Sequence, residues 1–244
     1  MRAPGDSHTA QSKMVVSELP PLQSYDIAAL KADGSHFRAT YRAPTFPQID
    51  SAFSAFARGV LLSSPEGLIA IEDLQPGDRL NTRTGAVMKV RWIGSSSYVP
   101  SNADRATPLV RITADAFGPG RPAACVTVGP AARILHAPEQ VDDEARVQGT
   151  LVPARAFVDG VSVFELLPPT PVQLFHICLS KHAIIQVDGV EMETFHPGPR
   201  TAQELSQSMR THFLAMFPHI SRFSDFGSVA YPRRDESKGG QSAA

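Results

Sequence analysis

The chain has 244 residues, 42% of them hydrophobic and 19% charged, enough apolar material for one sizeable domain core. Lysine and arginine number 23 against 24 acidic residues, and a net charge of -1 supplies no field to draw the chain onto nucleic acid or anionic lipid. The 21 prolines are about 9% of the chain against a usual ~5%, which favours many turns over long helices.

Residues 1–22 are polar, carry Pro4, Gly5, Pro20 and Pro21, and lack periodicity, so they read as a mobile arm. Arg2 and Lys13 accompany no apolar run of signal-peptide length, and no 18-residue apolar stretch follows anywhere. No Sec signal peptide and no membrane span are therefore expected; a cytoplasmic location is the default, with unconventional export left open. Residues 23–49 read as a segment leading into a main domain at 50–200. A helix and packed loop are expected over 201–231, and a disordered tail from Pro232 to the end.

Inside the main domain, strand signals dominate. Val60–Ser63 and Leu68–Ile71 flank Ser64-Pro65-Glu66-Gly67, whose Pro at the second and Gly at the fourth position suit a type I turn. Pro76-Gly77-Asp78 makes the next bend. Arg79–Thr82 and Ala86–Ile93 flank an Arg83-Thr84-Gly85 turn, and Leu109–Ile112 and Cys125–Val128 supply further short strands. Short strands broken by frequent turns predict an all-β sandwich or barrel.

Further on, Asp188-Gly189 joins two β-patterned runs and predicts a two-residue hairpin with positive φ at both positions. Pairing Val187 with Val190 fixes the register, so that Ile184 faces Glu193, His182 faces Phe195 and Lys181 faces His196. Thr201 and Glu204 then form a capping-box signature, and Leu205, Met209, Phe213 and Met216 or Phe217 make an apolar stripe ended by Pro218. A helix packed on the β core is the simpler reading of that stripe; a partner-binding helix is the sharper one. Phe223, Phe226, Val229 and Tyr231 are expected to pack as a loop. Cys125 and Cys178, both flanked by apolar residues, read as two buried thiols rather than a disulfide framework.

Three segments carry a resemblance: AFARGVLLSSPEGLIAIEDLQPGDRL, ACVTVGPAARILH and FHICLSKHAIIQVDGVEMETFHPG. Together they are similar to bacterial Hedgehog/intein (Hint) domain proteins, especially the stand-alone alphaproteobacterial type, over roughly residues 51–198. The resemblance implies an all-β Hint fold with a C-terminal amphipathic helix. In active members a Cys, sometimes a Ser, attacks the preceding carbonyl, and a His in a Ser-Pro-x-His-Arg segment protonates the leaving amide nitrogen.

Carried onto this chain, the Cys-Phe-x-x-Gly opening falls on Ala55-Phe56-Ala57-Arg58-Gly59. The Ser-Pro-x-His-Arg segment falls on Gly129-Pro130-Ala131-Ala132-Arg133. Methyl groups at Ala55 and Ala132 leave neither an acyl acceptor nor a proton donor, so no cysteine-type acyl shift is expected. What the resemblance leaves is a rigid scaffold whose cleft, where the scissile segment once threaded, is fitted to an extended peptide or protein partner.

Two alternatives stand beside this reading. A self-processing enzyme would cleave near Ala55 with the Ser54 hydroxyl, using His136 as base; alternation along an extended strand turns Ser54 away from the face of position 55. A subunit of a surface or export assembly would use the helix as its docking face. His182 resembles the histidine that family members carry in its strand and is the remaining site candidate, beside a plain hydrogen-bonded role. A metal site at His176, His182 and His196 is not expected: the hairpin register puts His182 and His196 on opposite faces, and His176 lies about 20 Å from His182 along a strand. Neither a cofactor motif nor a phosphate loop is present, and Glu72-Asp73 and Asp142-Asp143-Glu144 read as solvated turns.

Overall fold

The computed structural model describes residues 22–100, 107–137 and 149–234. The arm before Leu22, the acidic loop at residues 142–144 and the tail beyond Arg234 lie outside the described residues.

A hairpin opens the fold. β1 (Leu22–Leu30) and β2 (His36–Pro44) pair along their whole length, and the Asp33 carboxylate in their turn accepts from both the N–H and the hydroxyl of Ser35. The single turn α1 (Pro47–Asp50) follows, with Pro at a first-turn position where no N–H is needed. Residues 23–49, expected only to lead into the domain, thus supply two full strands. Their alternation of buried and exposed positions suits a strand with one wet face.

After β3 (Phe56–Ala57) come β4 (Leu61–Ser64) and β5 (Gly67–Ala70), closed around Pro65-Glu66 with Ser64 opposite Gly67. β6 (Arg79–Asn81) and β7 (Val87–Tyr98) flank the expected turn, where the Gly85 N–H donates to the Thr82 carbonyl. β7 runs past its expected end at Ile93 because two distant strands, β1 and a later one, pair with it on opposite sides. β8 (Leu109–Ile112), β9 (Val126–Val128), β10 (Arg133–His136), β11 (Thr150–Pro153), β12 (Val163–Leu166), β13 (Val172–Leu179), β14 (Ile184–Val187) and β15 (Val190–Glu193) complete the strands.

The described strands form two sheets, antiparallel throughout. Nine belong to one, ordered β12-β8-β9-β3-β13-β7-β1-β2 with β6 joining β7; six belong to the other, ordered β11-β10-β15-β14-β4-β5. Apolar side chains of both sheets, among them Phe56, Leu62, Leu80, Val128, Ile177 and Met192, merge into one buried cluster. A second cluster gathers around Trp92 and is largely aromatic.

The β14–β15 register is as the sequence predicts, Val187 to Val190 and Ile184 to Glu193, with φ of 49° at Asp188 and 85° at Gly189. The register stops at Ala183 and Thr194. Beyond them the Phe195 N–H donates to Ile177 of β13, in the other sheet, so His182 does not face Phe195. The chain crosses between sheets there, and a pattern of alternating faces cannot be carried through a crossing.

The single helix expected after Thr201 is two. α2 (Thr201–Glu204) ends at Leu205, whose ψ of 138° is extended, and α3 (Gln207–Ala215) restarts with Ser206 accepting the Met209 N–H at 3.3 Å. The Thr201 hydroxyl is drawn to the Pro197 carbonyl instead of capping. Ser206 caps α3 because its extended backbone aims its oxygen at the free N–H groups of that helix. The apolar stripe nevertheless faces inward, with Phe213, Met216 and Phe217 buried in the Trp92 cluster.

Two further expectations need correction. Cys178 is buried, but Cys125, one residue short of β9, is exposed. Residues 232–234 are not tail: Arg233 bridges to Leu151 of β11, the Leu151 N–H donating to the Pro232 carbonyl and the Arg234 N–H to the Leu151 carbonyl.

Candidate functional site around the Ser54–Ala55 peptide

Ala55 lies at the entry to β3, a two-residue strand clamped between β9 and β13. Phe56 anchors it, fully buried, with its ring 5.4 Å from that of His176. The peptide joining Ser54 to Ala55 is consequently held from several sides. Its N–H donates to the Phe175 carbonyl at 3.0 Å, its carbonyl on Ser54 accepts from Ala131 N–H at 3.0 Å, and the Ala55 carbonyl accepts from Gly129 N–H at 2.7 Å.

The turn at Gly129–Ala132 thus closes over Ser54–Ala55. The turn is fastened at its own ends, Ala132 N–H to the Gly129 carbonyl and Ala154 N–H to the Ala132 carbonyl. Ala55 is 0% exposed and Ala132 is 2% exposed, and both belong to the cluster shared by the two sheets. Chemically, the seat offers a backbone N–H aimed at the Ser54 carbonyl oxygen, the arrangement that would stabilise an oxyanion there. At the two side-chain positions it offers methyl groups.

The remaining candidates lie apart from this seat. The Ser54 hydroxyl donates to the Asp50 carbonyl at 2.7 Å, closing the turn after α1. His136 stands at the far end of β10, exposed, opposite Thr150 and 5.5 Å from the Phe157 ring. Four strand residues, about 13 Å of rise, separate it from Ala132. The structure does not bring Ser54 and His136 together.

His182 occupies a different place, a buried ionic cluster. Its Nδ1 accepts the Ala230 N–H at 2.8 Å, which leaves Nε2 to carry the proton, and Nε2 lies 2.9 Å from Glu193 Oε1. Arg233 reaches the same carboxylate at 2.8 Å and also donates to the His196 carbonyl, while Arg133 approaches Oε2 at 3.8 Å. Glu193 is 4% exposed. Burial alone would raise its pKa, but the His182 ring 2.9 Å away and the Arg233 charge together outweigh it and hold the carboxyl below its ordinary value.

The histidines are placed differently from the expectation. His182 and His196, assigned to opposite faces, have ring centroids 5.2 Å apart. His196 Nδ1 accepts the Gly198 N–H, and Nε2 faces the Gly227 carbonyl at 3.1 Å. Burial pushes His196 down to about 4. Between the Phe56 and Phe195 rings, His176 is pushed down to about 3, burial again being the main cause. Among the described residues no group of three or more His, Cys, Asp or Glu side chains is arranged to hold a metal ion.

Three participants escaped the sequence reading. The Phe175 carbonyl carries no side-chain signal, and Gly129 was read only as a motif position. Arg233 sits in a polar stretch that resembles any tail. For Glu193 the hairpin register gives a position, opposite Ile184, and no role.

The solution structure of a bacterial intein-like domain from Clostridium thermocellum is 15% identical, with a TM-score of 0.35 over 59% of this chain and 99% of that one. The crystal structure of the MchDnaB-1 intein is 14% identical, with a TM-score of 0.34 over 58% of this chain and 100% of that one; its N145AA form gives 14%, 0.34, 57% and 98%. No curated protein sequence matches the chain. A family model described as "Hint domain" matches residues 54–199, beginning at the serine of the seated peptide and spanning more than half of the 244 residues. The chain belongs to the Hint domain family.

Proposed function

We propose that this Hint domain does not cleave its own chain and serves as a scaffold that grips an extended segment. The observation that supports this reading is the seat itself: backbone donors and acceptors surround the Ser54–Ala55 peptide, while Ala55 and Ala132 offer neither nucleophile nor proton donor. The segment gripped is the chain's own. Immediately upstream of it, Ala52 and Phe53, both 0% exposed, are packed into the interior.

Against the self-processing alternative stand the Ser54 hydroxyl, donated to Asp50, and the distance of His136 from the seat. Nor would the upstream segment be free to leave after cleavage, because β1 pairs with β7 and Phe53 packs on Trp92 at 5.4 Å.

Intact-mass measurement after long incubation tests the reading directly. The unaltered chain should remain a single 26.3 kDa species; fragments breaking beside Ser54 would refute it. The double variant Ala55→Cys/Ala132→His should gain cleavage at the 54–55 bond that depends on added thiol. There the new sulfur attacks the Ser54 carbonyl, the amide nitrogen leaves protonated, and external thiol takes over the acyl group. A folded double variant that stays uncut would refute the mapping of the two positions.

A further inference from the structure

The seat depends on a residue that the chemistry does not name. A Cβ built on Gly129 would lie 2.1 Å from the Ser54 carbonyl oxygen and 2.8 Å from the carbonyl carbon. Both are backbone atoms, so no side-chain rotation can relieve the overlap. Leu174 Cδ1, at 3.1 Å, closes a further side. Any residue other than glycine at 129 therefore forces apart the turn and the peptide beneath it. This is a question of space alone, and it separates Gly129 from Gly149, whose Cβ would meet the side chain of Leu135 at 2.9 Å and whose neighbour has rotamers to yield.

We propose that Gly129 is a positioning residue for this site: its missing Cβ lets the Gly129-Pro130-Ala131 turn close onto the Ser54–Ala55 peptide and keep the Gly129 and Ala131 N–H groups on its carbonyls. The inference rests on the proposed mapping, in which Gly129 stands at the serine of Ser-Pro-x-His-Arg. The Ser54 carbonyl oxygen now lies where that side chain would begin. The seat is thus altered at a third position, and this one acts by placing the backbone N–H donors of the turn rather than through a reactive group.

Two measurements test it. In the otherwise unaltered chain, Gly129→Ala should raise hydrogen exchange at the Gly129 and Ala131 amides by about tenfold or more, the loss of roughly one hydrogen bond, while the Gly149→Ala control leaves both protected. A folded Gly129→Ala chain whose two amides stay protected overturns the proposal, whatever becomes of cleavage.

In the Ala55→Cys/Ala132→His background, thiol-dependent cleavage should run at least about tenfold slower with Gly129→Ser or Gly129→Ala than with Gly129 itself, because the displaced turn no longer aims the Ala131 N–H at the Ser54 carbonyl oxygen. A merely structural glycine would lower stability without lowering the cleavage rate of the folded chain. Equal cleavage rates at all three residues overturn the positioning role and leave the mapping intact. Absence of cleavage from all three folded chains refutes the mapping, and with it the role assigned here.

Discussion

The two hydrophobic cores differ in composition and in what they join. The core between the sheets is aliphatic, built from residues such as Leu62, Val128 and Met192, and nearly all of it lies inside the 54–199 match. The second is aromatic and unites three parts of the chain: Tyr25, Ile49 and Phe53 from upstream, Trp92 and Phe195 from the matched region, and Phe213 and Phe217 from downstream. Trp92 is the pivot. Its ring stacks on Phe217 at 4.5 Å and meets Phe53 edge-on, and its Nε1 donates to the Met216 carbonyl at 2.7 Å. Beneath these rings lies Gly94, where a Cβ would come within 2.2 Å of the Trp92 ring and 2.6 Å of Phe53. The aliphatic core holds the family scaffold, and the aromatic core ties the flanks to it. The segment upstream of the Ser54–Ala55 peptide is thereby part of the interior.

If the second core is a true part of the fold, Trp92→Ala should have the largest effect, about 3–5 kcal/mol of unfolding free energy, because it empties the junction of three segments. Urea unfolding measures it, and hydrogen exchange should spread through β1, β2 and α3. A loss below ~1 kcal/mol would demote the aromatic core to a surface dressing.

The ionic cluster that fastens the C-terminal end sharpens the comparison from another side. Glu193→Gln leaves Arg233 without its carboxylate, and breaking a buried pair in this way costs about 3 kcal/mol. Exchange should rise first at residues 230–234 while the sheet interior stays protected. Uniform exchange across the chain would mean that the strap and the sheets unfold together.

The smallest effect, counted per pH unit, comes from His176 at the boundary between the cores. Its pKa is about 3 in the folded protein, below the ordinary 6.5, so between those values the unfolded chain binds the proton and the folded chain does not. Stability is therefore full above pH 6.5 and falls on acidification by about 1.4 kcal/mol per pH unit for this group. His196, pushed down to about 4, acts in the same direction, and Glu193 adds to it below its unfolded value of 4.5 as its lowered pKa is crossed. Melting temperatures between pH 7 and pH 5 should drop, and His176→Asn should shallow the slope. An unchanged slope would remove His176 from the account.

Much of the first core was legible because local rules fix it. The Asp188-Gly189 turn demanded positive φ twice, and that demand set the partner of every residue from Ile184 to Glu193. Pro65-Glu66 marked the other hairpin, and Leu109–Ile112 formed as read. The second core was legible only in fragments. The stripe ending at Phe217 predicted an inward face, but its target, Trp92, lies 125 positions earlier in sequence. Nothing local announced that β1 would choose β7.

The candidate site divides in the same way. That the segments at Ala55 and Ala132 share one site is what the resemblance implies; that a carbonyl of Phe175 and a bare glycine lie against the same peptide is not, since backbone atoms leave no trace in side-chain pattern. The faces of His182 and His196 were misread for a related reason: alternation holds along one strand, and the chain changes sheets between β13 and β14.

By itself, then, the sequence determined what depends on neighbours in the chain: turn chemistry, hairpin register, the apolar helical face and the residue types at positions 55 and 132. Only the tertiary structure decided what depends on distance in space. It placed the upstream hairpin inside the main sheet, gathered Glu193, His182 and Arg233 into one buried cluster, and pressed Gly129 against the Ser54 carbonyl. Each of those contacts joins residues whose proximity is set by packing and strand pairing across the whole chain, which short-range patterns do not encode.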